Sequence, residues 1–375
     1  MAPGKLGMLA VLAAVAALPA CTQVEQAMDT VDEGVRGAVS DVRSALGDSS
    51  AKAADDTAKA RRYMDGAGVA RDPKAAVALL RPHAIDGYAD AQFLLGLAYS
   101  SGQGVERDKT TAVEWYRRAA EQDHAEAQYL LGLAHMRGDG VPPNAEVAAY
   151  WFLNGAENGN AGAQYHLALG YAGSDEPRQA LTWFEVAAAQ GHPDAQYMAG
   201  EFYHLGRGVP RNRAWATRWF GKAAAQGVTQ AQYMLGLAYA APSGVPQDLE
   251  AAYRWLSIAA RNGDSRAAKY RDGLATKLSA AARRRADADA VGWKPSGRIE
   301  GSAMDDAPTL VFVQYSLAEV GFDPGPVDGQ MGPRTREAIE RYRVTREIGA
   351  GDEVTALLLG TLRDEVSATS QAARP

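Results

Sequence analysis

Four segments of the 375-residue chain are near copies of one another: AQFLLGLAYSSGQGV from Ala91, AQYLLGLAHMRGDGV from Ala127, AQYMAGEFYHLGRGV from Ala195 and AQYMLGLAYAAPSGV from Ala231. A shortened copy, AQYHLALGYAGSDEP, begins at Ala163, and a degenerate one, DDTAKARRYMDGAGV, begins at Asp55. The alanines at 91, 127, 163, 195, 231 and 267 are spaced by 36, 36, 32, 36 and 36 residues. A second column keeps the same period: Trp115, Trp151, Trp183, Trp219 and Trp255, followed by Tyr116, Phe152, Phe184, Phe220 and Leu256. Self-similarity at such a period constrains the fold more than any composition does, because one unit is too small to bury its own apolar face and must stack on its neighbours.

Each unit reads as two helices. Leu94, Leu95, Gly96 and Tyr99 recur at helical spacing, and the glycines of SGQGV end that helix, since Gly accepts the left-handed conformation cheaply. From about Lys109 to Glu121, Trp115, Tyr116, Ala119 and Ala120 share one face. Columns of Gly (96, 132, 200, 236) and Ala (120, 156, 188, 224, 260) permit close helix contacts, so the Trp and Tyr columns are expected in the core. The pattern A-Q-Y-x-L-G-x-x-Y-x-x-G-x-G-V, then A-x-x-W-[YF]-x-x-A-A, resembles the Sel-one-like repeat, a relative of the tetratricopeptide repeat. The resemblance implies an all-α, right-handed α/α solenoid of about six helix-turn-helix repeats over residues 55–293, terminal capping helices included, that binds other proteins without catalysis. The third full unit lacks four residues at AGSDEPRQA, which should alter local curvature and marks a candidate partner site.

The lone cysteine lies elsewhere. Lys5 precedes the apolar run Leu6–Leu18, which is too short to span a bilayer and fits a secretory signal. Leu18-Pro19-Ala20-Cys21 resembles the bacterial lipobox, with Pro19 in place of the usual small residue. The resemblance implies a signal peptide over 1–20, lipid on Cys21 and attachment to a membrane from the periplasmic side. Cleavage after Val15-Ala16-Ala17, giving a soluble secreted protein, is the alternative. Thr22 is not the Asp that retains enteric lipoproteins at the inner membrane, so the outer membrane is expected. Residues 21–54, with a narrow stripe of small apolar residues interrupted by Gly34 and Gly37, read as a loosely helical tether.

Residues 294–308 read as a linker, where Gly, Pro and Ser rise. Beyond it, three short amphipathic helices are expected over 309–364, then a disordered tail over 365–375. Val313-Gln314, Leu317, Gly321-Phe322, the run Pro324 to Gly329, Gly332, Thr335 and Ala338-Ile339 resemble the small three-helix peptidoglycan-binding domain. Tyr342-Arg343 stands where an aromatic-Gln pair is usual, and Ile348-Gly349 replaces the usual Gly-Leu. The resemblance implies peptidoglycan as a partner. Asp328 and Gly329 shape the loop, and with Gln330, Thr335 and Arg336 they form the candidate ligand site.

No catalytic constellation, metal-ligand spacing or cofactor motif is visible. The GxGV turns lack the Lys-Ser/Thr of a phosphate loop. His124 and His192 occupy equivalent loop positions, as structural residues do. A net charge of −6 argues against nucleic acid, and one cysteine excludes an internal disulfide and a thiolate zinc site. The expectation is a non-enzymatic envelope adapter whose solenoid binds envelope proteins. The alternatives are a scaffold or regulator of exopolysaccharide secretion, or an accessory of a peptidoglycan hydrolase.

Overall fold

In a computed structural model the described residues are 49–242, 245–296 and 307–372, and all their regular secondary structure is helical. Cys21 and most of the expected tether lie outside them. The chain forms two compact units, Met1–Ala119 and Ala120–Pro375.

In the first unit, α1 (49–65) precedes α2 (Pro73–Ile85), α3 (Ala89–Ser101) and α4 (Lys109–Ala120). Asp72 caps α2 by accepting from the Ala75 amide at 3.0 Å, and Pro73 fills the first helical position, where no amide is needed. Residues 49–54, expected in the loosely helical tether, belong to α1. Ala53, Thr57 and Ala60 are buried along one face of α1, and Ser49 reaches the Tyr88 hydroxyl at 2.8 Å.

The second unit continues with α5 (Ala125–Arg137), α6 (Ala145–Glu157), α7 (Ala161–Gly173), α8 (Pro177–Ala189), α9 (Pro193–Leu205), α10 (Arg213–Ala225), α11 (Thr229–Ala240) and α12 (Leu249–Arg261). Each of these packs on the next, and α13 (Ser265–Ala275) and α14 (Ala280–Gly292) both return to α12. The first helices of two units end alike, on Gly138 and Gly206 in the left-handed conformation, with amides bonded back to the carbonyls of Ala134 and Phe202. The second glycine of GRGV has a different reason: a Cβ on Gly208 would lie 2.8 Å from the Arg178 amide nitrogen. These turns end helices and seat them on the preceding unit. The short third unit keeps its closing bond, Glu176 N to Tyr171 O at 3.0 Å, matching Asn212 to Tyr203 at 3.0 Å. Four residues are lost from the loop while both helices stay in register.

The expected aromatic core is half right. Phe152, Phe184, Phe220 and Leu256 are buried, and the glycine column exists for them: a Cβ on Gly200 would sit 2.6 Å from the Phe220 ring. The tryptophans one residue earlier point outward. Trp151, Trp183 and Trp255 are half-buried, and only Trp219 is buried, at 4% exposure. Helical geometry turns adjacent residues by about 100°, so both cannot face the same core.

A polar ladder runs through the packed units. The buried side chains of Gln128, Gln164, Gln196 and Gln232 donate to the carbonyls of Ala120, Ala156, Ala188 and Ala224 at 3.0–3.2 Å. Each also accepts a bond from the side-chain amide of Asn158, Gln190, Gln226 or Asn262, at 2.7–2.9 Å, at the end of the second helix of its own unit. The recurring Gln therefore satisfies the helix end of the preceding unit and fixes the register between units.

The three-helix module comprises α15 (Ala307–Glu319), α16 (Pro333–Thr345) and α17 (Ala356–Ala372). The tail expected to be disordered from residue 365 is helical as far as Ala372. Val366 is buried, Glu365 accepts from the Tyr342 hydroxyl at 2.8 Å, and these contacts order the segment.

Candidate functional site

The loop between α15 and α16 is organised by one side chain. Gln314 of α15, 1% exposed, donates from Nε2 to Asp328 Oδ1 at 3.0 Å, the Gln330 carbonyl at 2.9 Å and Thr335 Oγ1 at 3.2 Å. Its Oε1 accepts from the amides of Asp328 and Gly329 at 3.1 and 2.9 Å. Thr335 donates to the Pro324 carbonyl at 2.9 Å and is buried. Of the five expected site residues, Asp328, Gly329 and Thr335 are thus brought together as the loop's frame. Gln330 joins them through its backbone and leaves its side chain exposed. Arg336 is exposed and turns to Asp352 at 3.3 Å. Asp328 remains exposed, and the Gln314 amide holds its carboxyl below the usual carboxylate range.

The two departures from the domain pattern fit one another. Arg343 donates to the Glu353 carbonyl at 3.0 Å, and its guanidinium lies over Gly349 and Gly351, both at positive φ. A side chain at either glycine would meet that guanidinium.

The module is docked on the solenoid. Phe312 packs edge-on against Trp215 with centroids 4.6 Å apart, and Thr309 accepts from Arg218 Nε at 3.0 Å. Arg218 is held over both Trp215 and Trp219, 4.5 and 4.6 Å from their rings. Asn212 donates to the Arg363 carbonyl and to Ser367 Oγ, both at 3.0 Å. Pro308 lies over Gly221, where a Cβ would approach to 2.9 Å. Every residue of α10 from Ala214 to Ala224 is therefore buried, unlike its counterparts α6 and α8.

Two clefts flank this contact. One, of about 540 Å³, is lined by Arg178, Thr182, Glu185, Tyr203, Arg363 and Ser367 among others. Burial lifts the Glu185 carboxyl above its usual range, opposed by the Tyr203 hydroxyl, which donates to it at 2.9 Å, and by Arg363. The other, of about 290 Å³, places Asp328 beside Arg218 and Arg254 of the solenoid. Sequence reading missed Gln314, Trp215, Arg218 and Arg254 as site residues. One signal was available: Trp215 and Trp293 are the two tryptophans outside the repeat column, and each sits where a non-repeat segment attaches, Trp293 packing on Trp255 at 6.1 Å.

Elsewhere the polar residues have structural roles. His124 and His192 cap α5 and α9, their Nδ1 atoms accepting from Ala127 and Ala195 at 3.2 and 3.3 Å. Among the described residues no group of three or more His, Cys, Asp or Glu side chains is placed to hold a metal ion, and no helix is long and apolar enough to cross a membrane.

The family pattern described as Sel1 repeat matches residues 51–82, 89–124, 125–160, 161–192, 193–228 and 229–264. Among solved structures the chain is similar to c5321, a protective antigen of uropathogenic Escherichia coli strains displaying an SLR fold, at 30% identity and a TM-score of 0.57. That match covers 67% of this chain and 58% of the E. coli protein, so this chain spans little more than half of its relative's length. A Sel1 repeat protein from Oxalobacter formigenes is 32% identical with a TM-score of 0.52, over 56% of this chain and 88% of that one. No curated protein matches the chain.

Proposed function

The chain belongs to the Sel1 repeat family, whose members generally mediate protein–protein interaction, and on that premise we propose that it is a non-enzymatic adapter lipoprotein of the bacterial cell envelope. Lipid on Cys21 holds it in the periplasm at the outer membrane, the solenoid binds envelope proteins, and the C-terminal module binds peptidoglycan. The observation that carries this reading is the Gln314-centred loop. A buried amide that makes five hydrogen bonds fixes a turn bearing an ionised, exposed Asp328 and an exposed Gln330 side chain. A rigid polar loop beside α16 suits recognition of a peptide-bearing polymer. The module is seated on the solenoid, so a partner held there would be placed at a fixed distance from the wall.

Sedimentation with purified sacculi tests the wall-binding step: the mature chain should pellet, and the chain truncated before residue 307 should stay in the supernatant. Cys21→Ala should release the protein from the membrane fraction. If the truncated chain pellets equally well, the module is not the wall-binding element.

A further inference from the structure

The second helices of the repeat units present one outer face in common, and the module shows what that face accepts. On α10 it is built by Trp215, Arg218 and Gly221, against which α15 lays Phe312, Thr309 and Pro308. On α8 the matching positions include Thr182 and Glu185, which line the cleft shared with Arg363 and Ser367 of α17. The next second helix in the row is α6, where the matching residues are Val147, Tyr150 and Leu153. The last two are uncovered among the described residues, Tyr150 at 56% exposure and Leu153 at 38%.

Three observations single out this face. Ala78, Glu114, Thr182, Arg218 and Arg254, all small or polar, stand in the place of Tyr150, and no other unit has a large apolar residue in the place of Leu153. Stacking therefore requires neither side chain, and an exposed apolar pair that recurs nowhere else marks a contact surface. The shortened loop is the second observation. A Cβ on Gly104 would collide with the Pro73 carbonyl that starts α2, and one on Gly208 would lie 2.8 Å from the carbonyl carbon of Pro177, which starts α8. The four residues missing between α7 and α8 include the equivalent glycine, and Ala145 at the start of α6 is exposed where Pro73 and Pro177 are half-buried. The deletion opens the first turn of the helix that carries Tyr150 and Leu153. Charge is the third. Glu146 lies four residues before Tyr150 and Glu157 four after Leu153, so both fall on the same stripe, and both are exposed. No Lys or Arg occurs between residues 145 and 157. The face is an apolar centre with a carboxylate at each end.

We propose that this face of α6 binds an amphipathic helix of a partner protein, one with a stripe of large apolar side chains and a Lys or Arg at each end of it. That helix takes on α6 the place that α15 takes on α10. Val147, Tyr150 and Leu153 are its seat, and its basic ends meet Glu146 and Glu157. The site rests on the adapter reading for the existence of a protein partner, and supplies the place and the chemistry of the contact.

Photo-crosslinking in cells tests it, with benzoylphenylalanine placed in the full chain at residue 150 and, for comparison, at the exposed position 169 of α7. Residue 150 should capture one partner segment, and mass spectrometry should show it to carry an apolar stripe at helical spacing with basic residues at both ends. A labelled synthetic peptide of that segment should bind the purified full chain with unit stoichiometry in fluorescence anisotropy. Leu153→Ser, which copies Ser257 of α12, should weaken it at least tenfold, and so should Glu146→Lys combined with Glu157→Lys. Both variants should melt as the wild type does, because the three side chains are exposed. Capture of a second copy of this chain, capture of an acidic segment, or undiminished peptide binding by the variants overturns the proposal. Capture at residue 169 with none at 150 overturns the α6 site and leaves the adapter reading standing. Capture at neither position removes both.

Discussion

Gly200 and Phe220 compete for the same space from two facing helices, and the absence of a side chain at one is the condition for the other. A methyl at Gly200 would stand 2.6 Å from the ring. Gly200→Ala should therefore destabilise the chain by about 1–3 kcal/mol, the usual cost of overpacking a filled core. Adding Phe220→Leu should recover part of that loss in urea unfolding, and an unrecovered loss would place the strain elsewhere. This pairing was legible in the sequence, where the Gly and aromatic columns keep one period. Which of two adjacent aromatic columns faced inward was not, because periodicity gives a spacing and leaves the phase about the helix axis open. Glu185 is a residue no sequence pattern marks. Burial raises its pKa above the ordinary 4.5, so the folded chain holds that proton more tightly than the unfolded one. Its contribution to stability therefore grows as pH falls through the raised value, levels off below 4.5, and is least at neutral pH and above. Glu185→Gln should flatten this, so wild type gains on the variant as pH is lowered from 7.5 toward 5. Parallel melting curves for the two proteins across that range would refute it.

At the scale of the element, helix ends hold the array in register. At the loop position before the first helix, His124, Asn160, His192 and Asp264 accept an amide from the residue three places on, while Tyr88 and Val228 at the same position make no side-chain cap. Where the residue can accept, it caps, and the residue type varies among those that do. His192→Ala should cost about 1 kcal/mol, and His192→Asn should cost nothing, since Asn160 already performs the task. Equal losses from both substitutions, measured by chemical denaturation, would show that the imidazole matters for its packing on Tyr165 instead. The caps and turn glycines were readable as helix boundaries. The amide ladder was not, although its Gln is as regular as the Trp. A sequence shows that a polar residue recurs in a core position, but its two partners lie on the last helix end of the preceding unit and on the far helix end of its own.

At the scale of the whole second unit, one contact governs. The module covers α10 through Trp215, Phe312 and Asn212, and Trp219, packed on Trp215 and Arg218, is buried where its equivalents stay half-exposed. Trp215→Ala removes the centre of that contact, and of the repeat columns it touches only Tyr203 and Trp219, so most of the loss of about 3–5 kcal/mol expected for a buried Trp should fall on docking. Calorimetry should then resolve a separate module transition where the wild type melts α10 and the module together. A single transition, merely shifted downward, would show that the module's stability does not depend on this contact.

The repeat period by itself determined the all-helical stacked architecture, because a unit of 36 residues with one apolar face has no other way to bury it. It also determined where helices begin and end, since caps and turn glycines act on the backbone within a few residues. The tertiary structure alone decided that the module is seated on the solenoid, that residues 365–372 are helical, and that Asp328 and Arg254 share a cavity. Those facts depend on side chains far apart in sequence meeting once. A contact made in one place leaves no period for a sequence to display.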